Sequence, residues 1–440
     1  MLIDFAPAPA RTRETRAVPY VVAAVAFAGY AAWSLQRLRT FDASGFDLGI
    51  FEQAVQSYAH GHWPVSDLLG PGAPTLGDHF HPILALLAPF YLLWPSPACL
   101  LVAQAFLFAL SAVPVTRCAS RVLGTRRGAV VGAGYVLSWG LLSAVNFDFH
   151  EVCFAVPMVA FAAEHLLRER WRAAVWCALP LVLVKEDLPL TLAAVGVVLV
   201  LKGQRRLGWA VAGFGVATSV LLVTVVLPAL NPAGAYAHSG GLNPFGGSIV
   251  KVSMLLALVV PTAFAALRSP VLLLAVPTLL WRLVSANDRY WGMGYHYSAV
   301  LMPIVFLAAA DGVRRFDRQW LLPACALAAG LASLGLQVAH LTDGVWTPSQ
   351  RDGIDAVLAR IPDGADVMAS NRLAPRLTSR CTVLFFDGVS KERPEWVAVA
   401  KPEQSWPTTL ATKGLALEEL KSTGYLRVAE TDSVVLLHRE

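Results

Sequence analysis

The sequence predicts an all-α polytopic membrane protein, with about eleven spans and one interfacial helix, followed by a small α/β domain. Three observations lead there. Of 440 residues, 56% are hydrophobic and only 15% charged, where a soluble protein carries about 25% charged residues. The apolar residues gather in long blocks rather than at amphipathic spacing, and blocks of about 18 residues or more read as membrane spans. From about Thr347 the composition turns mixed and polar, which divides the chain into 1–345 and 346–440. The net charge of +5 is therefore no nucleic-acid signal; its meaning lies in which loops hold the Arg and Lys residues.

The first block, Val18 to Leu35, follows Arg11, Arg13 and Arg16 and reads as an uncleaved anchor. Further blocks lie near 98–116, 128–145, 152–167, 173–184, 187–201, 207–228, 252–267, 270–284, 296–312 and 320–339. The stretch HPILALLAPFYLLWP (81–95) is apolar but short, with Pro at both ends and in the middle, which suits a helix lying on the membrane. Loop charge agrees. With 81–95 outside the count, the clusters at Arg117–Arg127, Arg168–Arg172, Lys202–Arg206, Arg268 and Arg314–Arg318 all fall on the cytoplasmic side with the N-terminus. Arg37, Arg39, Lys251 and Arg289 dissent. An odd number of spans puts the last domain outside the cytoplasm. Within it, RDGIDAVLARI reads as a helix, ADVMAS, TVLFFD and EWVAVA as strands, LEELKSTG as a helix with a Gly cap, and YLRVAE and SVVLLH as strands.

The outer loops hold the acids, histidines and aromatics. FDLGIFE places Asp47 and Glu52 about one helical turn apart, with apolar flanks that make a lone charge costly. GDHFHP brings Asp78, His79 and His81 together; in an extended segment the two imidazoles share a side, suited to a metal or an anionic phosphate. NFDFHE offers Asp148, His150 and Glu151, and with Asp47 a possible divalent-metal set of Asp47, Asp148 and His150. VKED supplies Lys185 and two acids, Glu186 and Asp187, for which a salt bridge closing a hairpin is the plain alternative. NDRYWGMGYHYS carries Arg289 and His296 among aromatics. Aromatics at an interface are ordinary anchors, but Arg289 on the cation-poor side suits an anionic ligand. Cys99, Cys118, Cys153, Cys177 and Cys325 lie in or beside spans, Cys381 lies in the last domain, and no CxxC, Walker, GxGxxG or GxSxG pattern occurs. Polar groups at one rim, with spans almost free of buried charge, fit an enzyme acting on a lipid-borne substrate. The same groups could serve a lipid or polymer transporter or flippase, or a non-catalytic scaffold of envelope assembly.

FDLGIFEQAVQSYAHGHWP, LGDHFHPILALLAPFYLLWPSP, NFDFHEV and VKED together resemble a bacterial family of predicted polytopic membrane proteins of unknown function, related to the GT-C integral-membrane glycosyltransferases. The resemblance implies an inverting sugar transferase that uses a polyprenyl-phosphate-linked donor at the outer face of the cytoplasmic membrane, with an envelope glycan, lipid or protein as acceptor. By that resemblance Asp47 matches the first-loop acid that serves as base or metal ligand. His81-Pro82 falls near the His-Pro motif and Asp148 at the second outer acid. His79, His81, Lys185, Arg289 and His296 become candidates for the donor phosphate. Glu52, Asp78, Asp148, Glu151 and Glu186 become supporting acids. The chain lacks the Asp-Asp pair of mannosyl-transferring members and any oligosaccharyltransferase acceptor motif. No cofactor is certain beyond a possible divalent metal.

Overall fold

A computed structural model of the chain describes residues 13–236, 238, 240–341, 345–388, 392–401 and 410–439; Arg11 of the N-terminal arginines lies outside them. Each of the eleven apolar blocks forms helix. Among the described residues six helices are long and apolar enough to cross a membrane: Arg16–Arg39, Pro97–Leu123, Thr125–Asn146, Arg205–Leu230, His296–Arg315 and Leu321–Ala339. The other five, Val152–Leu167, Trp171–Leu183, Leu188–Leu201, Ser248–Thr262 and Pro270–Val284, are shorter. At about 1.5 Å rise per residue they fall short of a hydrocarbon core about 30 Å thick. Proline explains part of this: Pro180 and Pro261 sit where α-helix tightens into 3-10 helix, because proline withdraws a backbone donor from the α ladder.

The segment Pro82–Leu93 is apolar helix of twelve residues, a 3-10 stretch followed by an α turn. It buries Ile83, Leu84, Leu87 and Tyr91 and exposes Leu86, Phe90, Leu92 and Leu93, as a helix at the membrane surface would. Elsewhere helices close tightly on small residues. A Cβ added at Gly215 would lie 2.4 Å from the Pro189 carbonyl oxygen, so only glycine lets Leu188–Leu201 and Arg205–Leu230 approach so nearly.

The expectation of spans almost free of buried charge needs correction. Glu164, fully buried in Val152–Leu167, binds Arg117, Arg121 and Arg168. Arg282 is fully buried as well and donates to the carbonyls of Tyr290 and Gly292 and to Ser298 Oγ. Both are compensated charges, the form in which burial is tolerated. Glu164 also shows that the last turns of Pro97–Leu123 and the Arg168 end of Val152–Leu167 share one end of the bundle. Arg268 joins the 311–315 turn by donating to the Arg315 carbonyl at 2.7 Å, and Ser269 donates to Asp311.

The C-terminal part is a five-stranded sheet with helices. Its strand order is Thr382–Phe385, Asp366–Ala369, Trp396–Ala400, Val434–Arg439, Tyr425–Glu430, with the first three strands parallel and the last two antiparallel to their neighbours. Every strand and both helices expected there are present. Thr347 and Gln350 form a capping box on Pro348–Leu358, and Gly424 at φ 92° follows Leu410–Ser422. Its core is not self-contained: Phe41, Ile50 and Leu68 from the first loop pack among Trp346, Leu373, Leu377 and Val383.

Candidate active site

One cavity of about 520 Å³ gathers most of the rim residues: Asp47, Asp78, His79, His81, His150, Lys185, Glu186, Arg289 and His296 all line it. These nine residues come from well-separated stretches of the chain, and Tyr236 and His238 from yet another loop line the cavity too, so the fold, not local sequence, assembles the site.

Asp47 does not sit on a helix. The helix begins at Ile50, and Asp47 has φ 73° and ψ −81°, close to a classic γ-turn, rare and strained for a residue with a side chain. The expected one-turn pairing of Asp47 and Glu52 is therefore absent. Asp47 Oδ1 faces His150 Nε2 at 3.3 Å, within ion-pair range but not aligned as a hydrogen bond. His150 Nδ1 lies 3.2 Å from Glu151, and Glu151 accepts from Lys185 Nζ at 2.7 Å. Burial opposes charge on His150, but Asp47 and Glu151 outweigh it and hold the imidazole up to about 9. Burial likewise opposes charge on Glu151 and Lys185, and their mutual attraction holds the carboxyl well below and the ammonium well above their ordinary values. The result is one chain of alternating charge, Asp47–His150–Glu151–Lys185. Lys185 thus pairs with an acid from another loop instead of closing its own hairpin.

His296 stacks on His150 with ring centres 3.3 Å apart. It is 3% exposed, and neither of its ring nitrogens has a hydrogen-bond partner in the protein. A buried polar group of this kind, lining a cavity, is placed for a ligand.

Asp148 leaves the site. At φ 68° its carboxylate turns to Arg37 at 2.7 Å and to the backbone and hydroxyl of Ser44. It is a clasp between the first loop and the loop before Val152, so the structure does not bring Asp47, Asp148 and His150 together as a metal set. Gln104 pins the same loop, donating to the Asp148 carbonyl at 2.5 Å and accepting from the His150 amide at 2.9 Å. Two of the dissenting cations also find structural work. Arg37 binds Asp42 and Asp148, and Lys251 donates to the Asn243 and Pro244 carbonyls beneath Trp291. Glu52 turns away as well. It accepts from Tyr91 at 2.9 Å and from Thr378 of the C-terminal domain. Burial pushes it up to about 8.

His79 and His81 diverge. His81 is 2% exposed, edge-on to Phe51, and burial pushes it down to about 4, so it is neutral at pH 7. His79 Nδ1 lies 2.8 Å from Glu186 and its ring stacks on His238, whose Nε2 is 3.0 Å from Asp78. Glu186 also accepts from Tyr236 and from the Phe80 amide. Among the described residues, Asp78, His79 and His238 form the cluster whose ligand atoms lie within 4.8 Å of one another. A carboxylate on His79 Nδ1 fixes the tautomer that leaves Nε2 free to ligate, the arrangement usual behind a metal.

Sequence reasoning missed His238 and Tyr236, and noted Asp187 without giving it a role. Asp187 accepts from Trp281 Nε1 at 2.9 Å, keeps Oδ1 buried without a partner, and is pushed up to about 6 by burial. Its signal was present beside Lys185 and Glu186. His238 and Tyr236 sit in a Gly- and Ala-rich loop with no second ligand at a telling spacing.

A family described as "Predicted membrane protein (DUF2079)" matches residues 37–436. No curated protein matches the chain by sequence. Among solved structures, ArnT from Cupriavidus metallidurans bound to undecaprenyl phosphate is similar at TM-score 0.60 and 14% identity, over 96% of this chain and 97% of that one. The same protein in the apo state is similar at TM-score 0.56 and 15% identity, over 96% and 98%. The arabinofuranosyltransferase AftD from Mycobacteria gives TM-score 0.47 and 15% identity, over 98% of this chain and 40% of that one. The fold is similar to that of ArnT over nearly the whole of both chains.

Proposed function

The chain belongs to the DUF2079 family of predicted membrane proteins, and we propose that it is an integral-membrane glycosyltransferase with a polyprenyl-phosphate-linked sugar donor. The observation that carries this reading is the cavity that Asp47 lines together with Lys185, Arg289 and several imidazoles, in a fold shared with a protein that binds undecaprenyl phosphate.

The donor phosphate lies against Lys185 and Arg289. An ammonium has three donors, and Glu151 engages one of them, leaving Lys185 able to hold phosphate oxygens. His296 offers its unpartnered ring nitrogens to the same ligand. Asp47 accepts the proton of the acceptor hydroxyl as its oxygen attacks the anomeric carbon. The bond from that carbon to the phosphate oxygen breaks, the electron pair leaves with the phosphate, and the cations stabilise the charge. His150 orients Asp47, and Glu151 fixes His150. Asp78, His79 and His238 would hold a divalent cation, which as a Lewis acid would add to phosphate stabilisation.

The site end of the bundle faces outward in this reading, with the N-terminus in the cytoplasm, because the Arg-rich loops gather at the other end. The acceptor is an envelope glycan, lipid or protein. Two measurements test the reading. Purified protein in reconstituted membranes transfers sugar from a polyprenyl-phosphate-linked donor, and absence of transfer over a panel of donors and acceptors overturns it. Cysteine at Ser422 reacts with an impermeant reagent in intact cells; labelling only after lysis overturns the orientation.

A further inference from the structure

We infer that the C-terminal sheet domain is the device that holds Asp47 in its strained conformation, and that Asn371 is the positioning residue through which it acts. The inference rests on the proposed role of Asp47 as the base.

Asp47 is a residue with a side chain held at φ 73° and ψ −81°. Such a conformation costs on the order of 1–3 kcal/mol and persists only where its surroundings over-determine it. The bundle side holds the loop as far as Ser44, whose amide and hydroxyl bind Asp148. Between Ser44 and Asp47 the restraint comes from Asn371, in the loop that leaves the strand Asp366–Ala369. Its carbonyl accepts from the Gly45 amide at 2.7 Å, and its side-chain Oδ1 accepts from the Phe46 amide at 2.8 Å. The two amides directly before Asp47 are thus tied to one residue of the C-terminal domain.

The neighbouring contacts lead the same way. A Cβ added at Gly45 would fall 2.5 Å from Ala374 Cβ and 3.2 Å from the Asn371 carbonyl oxygen, so the first loop lies flat on the domain. Arg372 binds Asp42 at 2.6 Å, and Phe46 rests near Phe385 at 6.0 Å. Beyond the turn, Gln53 donates to the Val383 carbonyl at 3.1 Å. The domain therefore grips the loop before and after Asp47 and leaves the carboxylate itself to the cavity. A decorative domain would need none of these bonds to this one loop.

Asn371→Ala removes the Phe46 bond, and Asn371→Asp keeps an acceptor oxygen. Misplacing a reacting group by about 1 Å can cost about 100-fold. The expected result is a fall of about 10- to 100-fold in kcat for Asn371→Ala, little change in KM for the donor, and recovery of most of the loss in Asn371→Asp. Gly45→Ala, whose Cβ would meet Ala374 and the Asn371 carbonyl, lifts the loop off the same domain and lowers kcat in the same way. Hydrogen–deuterium exchange supplies a readout that needs no activity: the Phe46 amide loses protection in Asn371→Ala while amides in the strand Trp396–Ala400 keep theirs. Wild-type kcat in both Ala variants, or a loss confined to KM, overturns the inference. Loss of protection throughout the domain also overturns it, since Asn371 would then be a folding residue. If the wild type transfers no sugar, the glycosyltransferase reading fails, and unchanged Phe46 exchange in Asn371→Ala would separately show that Asn371 does not hold the turn.

Discussion

The helix Val152–Leu167 has a buried glutamate at each end, Glu151 before its first turn and Glu164 in its last, and the two have opposite surroundings. Glu164 is saturated: Arg117, Arg121 and Arg168 converge on it. Glu151 belongs to a chain that stays open, because Lys185 and His150 on either side of it both line a large cavity and continue to Asp47 and His296. The first arrangement only holds the bundle together. The second keeps unsatisfied atoms, a strained turn and stacked imidazoles at one place, features that a purely structural site would have no reason to retain.

Asp47→Asn separates the two ends most sharply. Asparagine keeps the size but cannot take a proton, and general-base assistance is worth about 10²–10⁴-fold. Sugar transfer should fall by that factor while thermal stability changes little; wild-type transfer would remove Asp47 from the chemistry. Glu164→Gln is the converse. Breaking a fully buried pair costs about 3–5 kcal/mol; the three arginines left here are each partly exposed, so the melting temperature should fall by less than that figure implies while kcat per folded molecule stays. A variant with normal stability and low kcat would mean that the two ends are coupled.

The sequence made these ends legible to different degrees. The arginine pattern located the Glu164 end without naming Glu164, since charge bias in loops is additive and needs no geometry. The apolar blocks and the strand–helix alternation of the C-terminal domain also declared themselves, because both depend on local periodicity. The rim acids and histidines stood out by type, and most do meet in one cavity. Their roles did not follow. Asp148 and His150 are two residues apart, yet a positive φ at Asp148 sends one carboxylate to Arg37 and leaves the imidazole facing Asp47. Glu52 reads as a rim acid and is in fact a bond between domains. Asn371, more than 300 residues from the loop it holds, had no local signature at all.

Metal binding sharpens the comparison at the open end. Asp78, His79 and His238 provide one carboxylate and two imidazoles, the donor set of many zinc sites. The protein treated with chelator and then dialysed against zinc should retain about one ion per chain by elemental analysis, and His238→Ala should retain markedly less. Equal retention by both would leave Asp78–His238 as a plain ion pair. Because none of the three residues touches Glu164, Glu164→Gln should bind zinc like the wild type.

The smallest effect concerns the join between the cavity end and the sheet domain. Among the described residues Glu52 meets the hydroxyls of Tyr91 and Thr378 and lies near the thiol of Cys99, and burial pushes its carboxyl up from 4.5 to about 8. An acid raised on folding binds its proton more tightly in the folded state. Between about pH 4.5 and 8 the unfolded chain has released that proton and the folded chain still keeps it, so stability falls as pH rises through this window. Below 4.5 the contribution is fully present, and above 8 it is lost. Glu52→Gln, which keeps a donor and an acceptor for the two hydroxyls, should flatten the melting temperature between pH 5 and 8. Glu164, held ionised by its arginines, supplies no such slope in that range. An unchanged slope in Glu52→Gln would place the titration elsewhere and leave Glu52 a neutral packing group between Tyr91 and Thr378.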